Sequence, residues 1–236
     1  MDIKLALKKT KYLLPSSTVL MLHNVSAGEI ANSITLSKAH LEQLLRAFGC
    51  FADIADVLKA PEKKRIALSF DDGYEDLFTV AYPMLKAYGV PFTAFIAPSF
   101  LDTPGYLTTA QLCTLAADPL VTIGSHNLTH RSLKELDAAA QTEELLRSKE
   151  QLETLLGRPV SLLAYPNGQA NDVTFSVLER SNAYQYAFLA AGGGISALNR
   201  RKYAMPRLRM DEKVWPVSIA QLAFVYGAGG EKTWIG

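Results

Sequence analysis

This chain has little cysteine. Cys50 and Cys113 are the only two in 236 residues. Both sit among apolar neighbours without metal-type spacing, so buried free thiols are expected rather than a disulfide framework or a cysteine nucleophile. An excess of either charge is also missing. Lys and Arg total 24 against 23 Asp and Glu, a formal net charge of +1. With no basic stripe, the electrostatic argument for a nucleic-acid or acidic-membrane partner falls away. No apolar run approaches the ~20 residues of a membrane span. Lys4, Lys8, Lys9 and Lys11 precede a short apolar stretch, Val19 to Leu22, that Pro15 sets off and His23 and Asn24 break. A secretory signal needs a longer apolar core and a small-residue cleavage site, so the expected location is cytoplasmic unless a signal was removed. There is no internal repeat. Gly192-Gly193-Gly194 lacks the spacing of a phosphate-binding loop, which leaves a nucleotide cofactor without support.

Against these absences stand 49% hydrophobic and 20% charged residues, enough to bury one sizeable core. One domain over residues 1–236 is expected. The chain alternates strand and helix signals. Strands are predicted at 18–22, 66–70, 92–96, 121–123, 160–164, 185–189 and near Tyr203. Helices are predicted after Ser37 as N-cap, with Leu36 and Leu41 as a hydrophobic staple and Gly49 closing it, and at 74–88 despite Pro83, 109–117, 172–181 and 217–226. A capping box of Ser132 and Glu135 is expected to open a long helix that carries Leu133, Leu136, Leu145, Leu152 and Leu156 inward and ends at Gly157 and Pro159. Repeated βα units predict a parallel α/β sheet or barrel.

Two features carry chemistry. Asp71 and Asp72 end the run Ile66 to Phe70, and adjacent carboxylates raise one another's pKa unless a cation or shared proton relieves them. His126 and His130 lie just past another strand. On a helical turn, i and i+4 face the same way, so both imidazoles can address one ion. Two histidines and a carboxylate form a set common at catalytic zinc, with positions left for water and substrate. A pair of surface histidines in a loop is the bland alternative.

Ser69-Phe70-Asp71-Asp72-Gly73 followed by Ser125-His126-Asn127-Leu128-Thr129-His130 resembles the first two motifs of the polysaccharide deacetylases, the NodB-homology group or carbohydrate esterase family 4. Ala164-Tyr165-Pro166-Asn167-Gly168 is a weaker counterpart of the third, Arg-x-Pro-Tyr-Gly. The resemblance implies a single-domain, distorted (β/α)7-type barrel. It implies removal of N-acetyl groups from amino sugars of a poly- or oligosaccharide, with release of acetate. Asp71 would be the general base, and Asp72, His126 and His130 the ligands of a divalent ion, commonly Zn2+. The ion would polarise the amide carbonyl, and the backbone N–H of Asn167 would help hold the oxyanion.

Two departures from the family pattern stand out. No histidine follows His130, where the family keeps a catalytic His near the carboxyl terminus. His40 reads as solvated on a surface helix. His23 resembles the amino-terminal acid histidine of the poly-N-acetylglucosamine deacetylase subgroup, with a core or capping role as the alternative. Ala164 stands where the family has an Arg that contacts the base. Arg207 or Arg209 is the replacement, and Arg207 is preferred because Pro206 fixes its approach. Tyr74 and Tyr165 are sugar-stacking or packing residues, while Trp215 and Trp234 have no assigned part. The alternatives to a deacetylase are an amidase on a small amide and a catalytically dead saccharide-binding module.

Overall fold

The computed structural model describes residues 17–30, 32–196 and 201–226; Lys4 to Lys11, Pro15 and Trp234 lie outside them. The first half contains β1 (Thr18–Leu22), β2 (Asn24–Ser26), β3 (Thr35–Ser37), α1 (Lys38–Ala47), α2 (Ile54–Lys59), β4 (Ile66–Phe70), α3 (Tyr82–Ala87), β5 (Phe92–Ile96) and α4 (Thr109–Ala117). There follow β6 (Val121–Ser125), α5 (Ala138–Leu156), β7 (Leu162–Ala164), α6 (Asp172–Ser181), β8 (Tyr186–Phe188), β9 (Leu208–Arg209) and α7 (Trp215–Tyr226). Seven strands form one sheet in the order β8-β7-β6-β5-β4-β1-β9, all parallel. The sheet curls back on itself. Met205 bridges to Phe188 of β8 while Leu208 and Arg209 pair with Leu20 and Met21 of β1, so one late stretch touches both ends of the sheet. The result is a curled half-barrel.

Strand alternation sorts the core into two layers. Leu20, Leu22, Leu68, Phe70, Phe92, Ala94 and Ile96 pack outward against the helices. Val19, Ala67, Phe95, Leu162, Ala164, Phe188 and Met205 pack inside the curl, which Ile54, Val57 and Leu58 of α2 also line. This parity matters for function. Continuing Ala67, Ser69 along β4 turns Asp71 inward, and continuing Met205 turns Arg207 toward it.

Several boundaries differ from the sequence expectation. The 74–88 helix contains a π turn at Leu77–Ala81, in which the Tyr82 N–H bonds the Leu77 carbonyl. Pro83 has no N–H, and the wide turn accommodates the missing ladder bond. Ser132 caps nothing through its side chain: Leu133–Glu135 is a separate 3-10 turn, Leu136 is extended, and the N-cap of α5 is Asp137, five residues later than expected, which accepts from the Ala140 N–H at 2.8 Å. Gly157 ends α5 in the left-handed region, as expected. Helix α1 ends not at Gly49 but with Phe48 extended, its ring buried. Cys113 is exposed and Cys50 half-buried, so the expectation of two buried thiols fails. Among the described residues, no helix is long and apolar enough to cross a membrane.

Candidate metal and catalytic site

The site lies at the carboxyl ends of the strands, where parallel α/β sheets place their ligands. The Asp71 N–H donates to the Leu22 carbonyl at 2.9 Å, extending the β1–β4 ladder one step. The chain then turns away through Asp72 at φ 72° and Gly73 at φ 82°. A left-handed pair makes the turn sharp, and Asp is among the few non-glycine residues that tolerate it. At Gly73 a side chain would also press against Ile96, 3.1 Å from its Cβ position. The turn thus sends two neighbouring carboxylates in different directions.

Asp71 points into the curl, fully buried against Arg207, which is itself 1% exposed. The guanidinium grips it bidentately, with Nη1 to Oδ1 at 2.6 Å and Nη2 to Oδ2 at 2.7 Å. Arg207 also donates to Ser69 Oγ and the Leu189 carbonyl, and lies over the Phe95 ring. Burial alone would raise the Asp71 pKa, but the charge and hydrogen bonds of Arg207, together with His126 and His23 nearby, outweigh it and hold the carboxyl below its ordinary range. Arg209 serves elsewhere, bonding Asp211 and the Ser33 carbonyl.

Asp72 points toward the histidines. Its Oδ1 lies 3.2 Å from His126 Nε2 and 3.0 Å from His130 Nε2. Among the described residues, these three side chains offer ligand atoms within 4.8 Å of one another. The expected helical turn is not there. Residues 126–130 are loop, with Asn127 at φ 60° and His130 at φ 59°, and the imidazoles converge because that loop doubles back. Gly124 lets β6 sit close enough to deliver it, since a Cβ there would lie 2.4 Å from the Phe95 ring.

His126 Nδ1 lies 2.8 Å from the Ala164 carbonyl. A carbonyl only accepts, so Nδ1 carries the hydrogen and neutral His126 turns a lone pair on Nε2 toward the Asp72 carboxylate. Asp72 Oδ1 is buried without a hydrogen-bond partner. Lone pairs facing lone pairs in a buried site call for a cation between them, and this donor set fits a divalent ion with open coordination positions. A proton can stand in for that cation. Burial lowers the His126 pKa, yet Asp71 and Asp72 overcome it and raise it, and the two imidazoles hold Asp72 below its ordinary range despite burial.

His23 follows β1 immediately, beside Asp71 in the ladder. Its Nδ1 is buried without a hydrogen-bond partner, and burial lowers its pKa against the opposing pull of Asp71 and Asp72. Asn167 lies on the turn Pro166–Gly168 at φ 57°, three residues past the carbonyl that orients His126. Tyr165 is fully buried and donates to the Tyr203 carbonyl, a packing role. Tyr74 stacks on Tyr106 at 4.9 Å, Tyr106 meets Phe100, and Phe100 reaches His130 at 5.6 Å. His40 is not simply solvated: it pairs with Glu212 and stacks on Trp215 at 4.4 Å, joining α1 to α7. Sequence reasoning missed Ser69 and Glu144, the buried partners of Arg207 and of the histidine loop.

Removing Arg207 has an expected cost. Arg207→Met strands a buried carboxylate, a class of change worth roughly 3–5 kcal/mol of stability. Because the folded Asp71 pKa is depressed, this contribution is present above about pH 4, the unfolded carboxylate value, and lost as pH falls further. In the variant, burial acts unopposed by the guanidinium, so the acid limb of any activity that uses ionised Asp71 moves to higher pH. Denaturant midpoints and pH–rate profiles of the two proteins check both statements; coincident profiles would remove Arg207 from the account.

The fold and the strand-end site define a class, the NodB-type α/β half-barrel. A sequence model of the family described as polysaccharide deacetylase matches residues 58–187, more than half of the chain, and the protein belongs to that family. The Bacillus subtilis protein YxkH is 28% identical over 202 residues, covering 81% of this chain and 70% of its own. The poly-beta-1,6-N-acetyl-D-glucosamine N-deacetylase of Staphylococcus aureus is 23% identical over 214 residues, covering 85% and 72%. Among solved structures, the Streptococcus pyogenes deacetylase PplD in complex with acetate superposes with a TM-score of 0.77 at 25% identity, covering 88% of this chain and 97% of that one. IcaB from Ammonifex degensii gives 0.76 at 22%, covering 89% and 98%.

Proposed function

We propose that this protein is a metal-dependent N-deacetylase that releases acetate from N-acetylated amino sugars of a poly- or oligosaccharide. One observation carries the reading: adjacent carboxylates have been given separate partners, Asp71 a buried arginine and Asp72 two histidines. The Staphylococcus relatives, named for poly-β-1,6-N-acetylglucosamine, favour an N-acetylglucosamine polymer as the substrate class. Asp72, His126 and His130 would hold the divalent ion, and two imidazoles with one carboxylate favour zinc. When bound, the ion supplies Lewis-acid polarisation of the acetamide carbonyl.

The chain's own groups do the rest. Asp71, kept ionised and fixed by Arg207, takes a proton from the attacking water as the O–C bond forms. The Asn167 N–H donates toward the oxygen on which charge develops. His23 gives a proton to the nitrogen as the C–N bond breaks, so a free amine and acetate leave.

Acetate release from a panel of N-acetylated oligosaccharides, measured with zinc-loaded and chelator-stripped protein, tests this directly. The loaded protein should carry about one divalent ion per chain and release acetate. Stripping, or Asp72→Ala, should abolish both. Full metal content in Asp72→Ala would sink the ligand assignment, and no acetate from any substrate would sink the deacetylase reading.

A further inference from the structure

The loop that carries both histidines has almost no regular hydrogen bonding of its own, and two of its residues, Asn127 and His130, sit in the left-handed region. Such backbone persists only where the surroundings over-determine it. What determines it here is Glu144, on the buried side of α5. Its Oε2 accepts from the Leu128 N–H at 3.0 Å and from the Thr129 N–H at 2.9 Å, and its Oε1 accepts from the Thr129 hydroxyl. The carboxylate is 6% exposed. All three donors lie between His126 and His130. One turn further along α5, Ser148 bonds Ser125, the last residue of β6 and the neighbour of His126. The helix therefore meets the histidine loop and the end of β6 through two buried polar residues, Glu144 and Ser148, where a structural helix normally presents apolar residues.

We infer that Glu144 is a positioning residue for the metal site: it fixes the separation and aim of His126 and His130 by clamping the two residues in the middle of their loop. A buried carboxylate is costly without partners, and here every partner comes from that one loop and is a backbone or side-chain donor that charge strengthens. Loss of the clamp frees Leu128 and Thr129. His130, its side chain 26% exposed and lacking the carbonyl contact that orients His126, then drifts from Asp72. This rests on the metal reading above.

The test is metal affinity, measured apart from turnover. Zinc or cobalt binding to the stripped protein is followed by chelator competition for wild type, Glu144→Ala and Glu144→Gln, alongside the unfolding midpoint of each metal-free protein. Groups that orient ligands from behind typically change affinity by about 10- to 100-fold. Glu144→Ala is expected to weaken binding within that range. Glu144→Gln keeps one acceptor oxygen for the loop amides and should fall between; it also carries the test if the alanine variant does not fold. A merely structural glutamate would lower the midpoints and leave the affinity of the folded protein unchanged, and that result overturns the inference while the metal site stands. A wild type that takes up no divalent ion overturns both.

Discussion

Asp71→Asn is expected to lower kcat/KM by about 10² to 10⁴, the usual scale for loss of a general base, while the protein still binds its metal. Asn keeps the shape of Asp but cannot take up the water's proton. The neighbouring Asp72, the proposed ligand, turns the other way, toward His126 and His130, and is untouched. Metal content therefore separates base from ligand: a variant that loses both ion and activity would mean that Asp71 holds the ion. Stability should fall as well. Asn presents an amide N–H₂ to an Arg207 fork that donates at 2.6 and 2.7 Å, leaving a buried cation poorly paired. Pairing Asp71→Asn with Arg207→Met removes that charge, and apolar replacements for buried ion pairs are often neutral or stabilising. The double variant is expected to regain much of the melting temperature lost by the single ones and none of the turnover. Restored activity in the double variant would show that the arginine-held carboxylate is not the base.

Much of this arrangement was legible in the sequence, because its parts are marked by short-range signals. The strands at Thr18–Leu22, Ile66–Phe70 and Phe92–Ile96 and the helices at Thr109–Ala117 and Asp172–Ser181 fall where apolar runs and capping residues put them. Asp71, Asp72, His126 and His130 announce themselves by type and by position after strands. The misreadings share a physical cause. His126 and His130 have helical spacing, yet their convergence comes from a loop whose left-handed residues are imposed by Glu144 from another element. Glu144 itself looks like any charge on a solvated helix. Its neighbour Glu143 makes the ordinary i,i+4 pair with Arg147 on the outside, and only the stripe of buried positions 141, 144, 145, 148 and 152 marks Glu144 as inward. In the sequence Arg207 is preferred to Arg209 because Pro206 fixes its approach; what separates the two in the fold is strand parity along Met205 and Arg207, which a segment with only a two-residue strand does not advertise. Ser132 and Glu135 satisfied a capping pattern, but Asp137, nearer the uninterrupted helix, captured the N-terminus.

His23→Ala is expected to lower turnover of N-acetylated saccharides by about 10² to 10⁴ with metal binding intact. An amine is a poor leaving group and departs only as its nitrogen gains a proton, so removing the acid should be felt fully on an amide. The environment of His23 suits that task. Burial lowers its pKa, which makes the imidazolium a stronger acid, while Asp71 and Asp72 limit the shift, and its Nδ1 has no hydrogen-bond partner. The sharper test changes the substrate. An aryl acetate ester expels a phenolate that needs no proton, so His23→Ala should slow its hydrolysis far less than it slows the amide, whereas Asp71→Asn, which removes activation of the water, should slow both. Equal losses on ester and amide would assign His23 to positioning or substrate binding. No loss on either would leave a chain with no histidine after His130 without an imidazole donor for the amine, and the proton would have to return from Asp71, the group that first removed it.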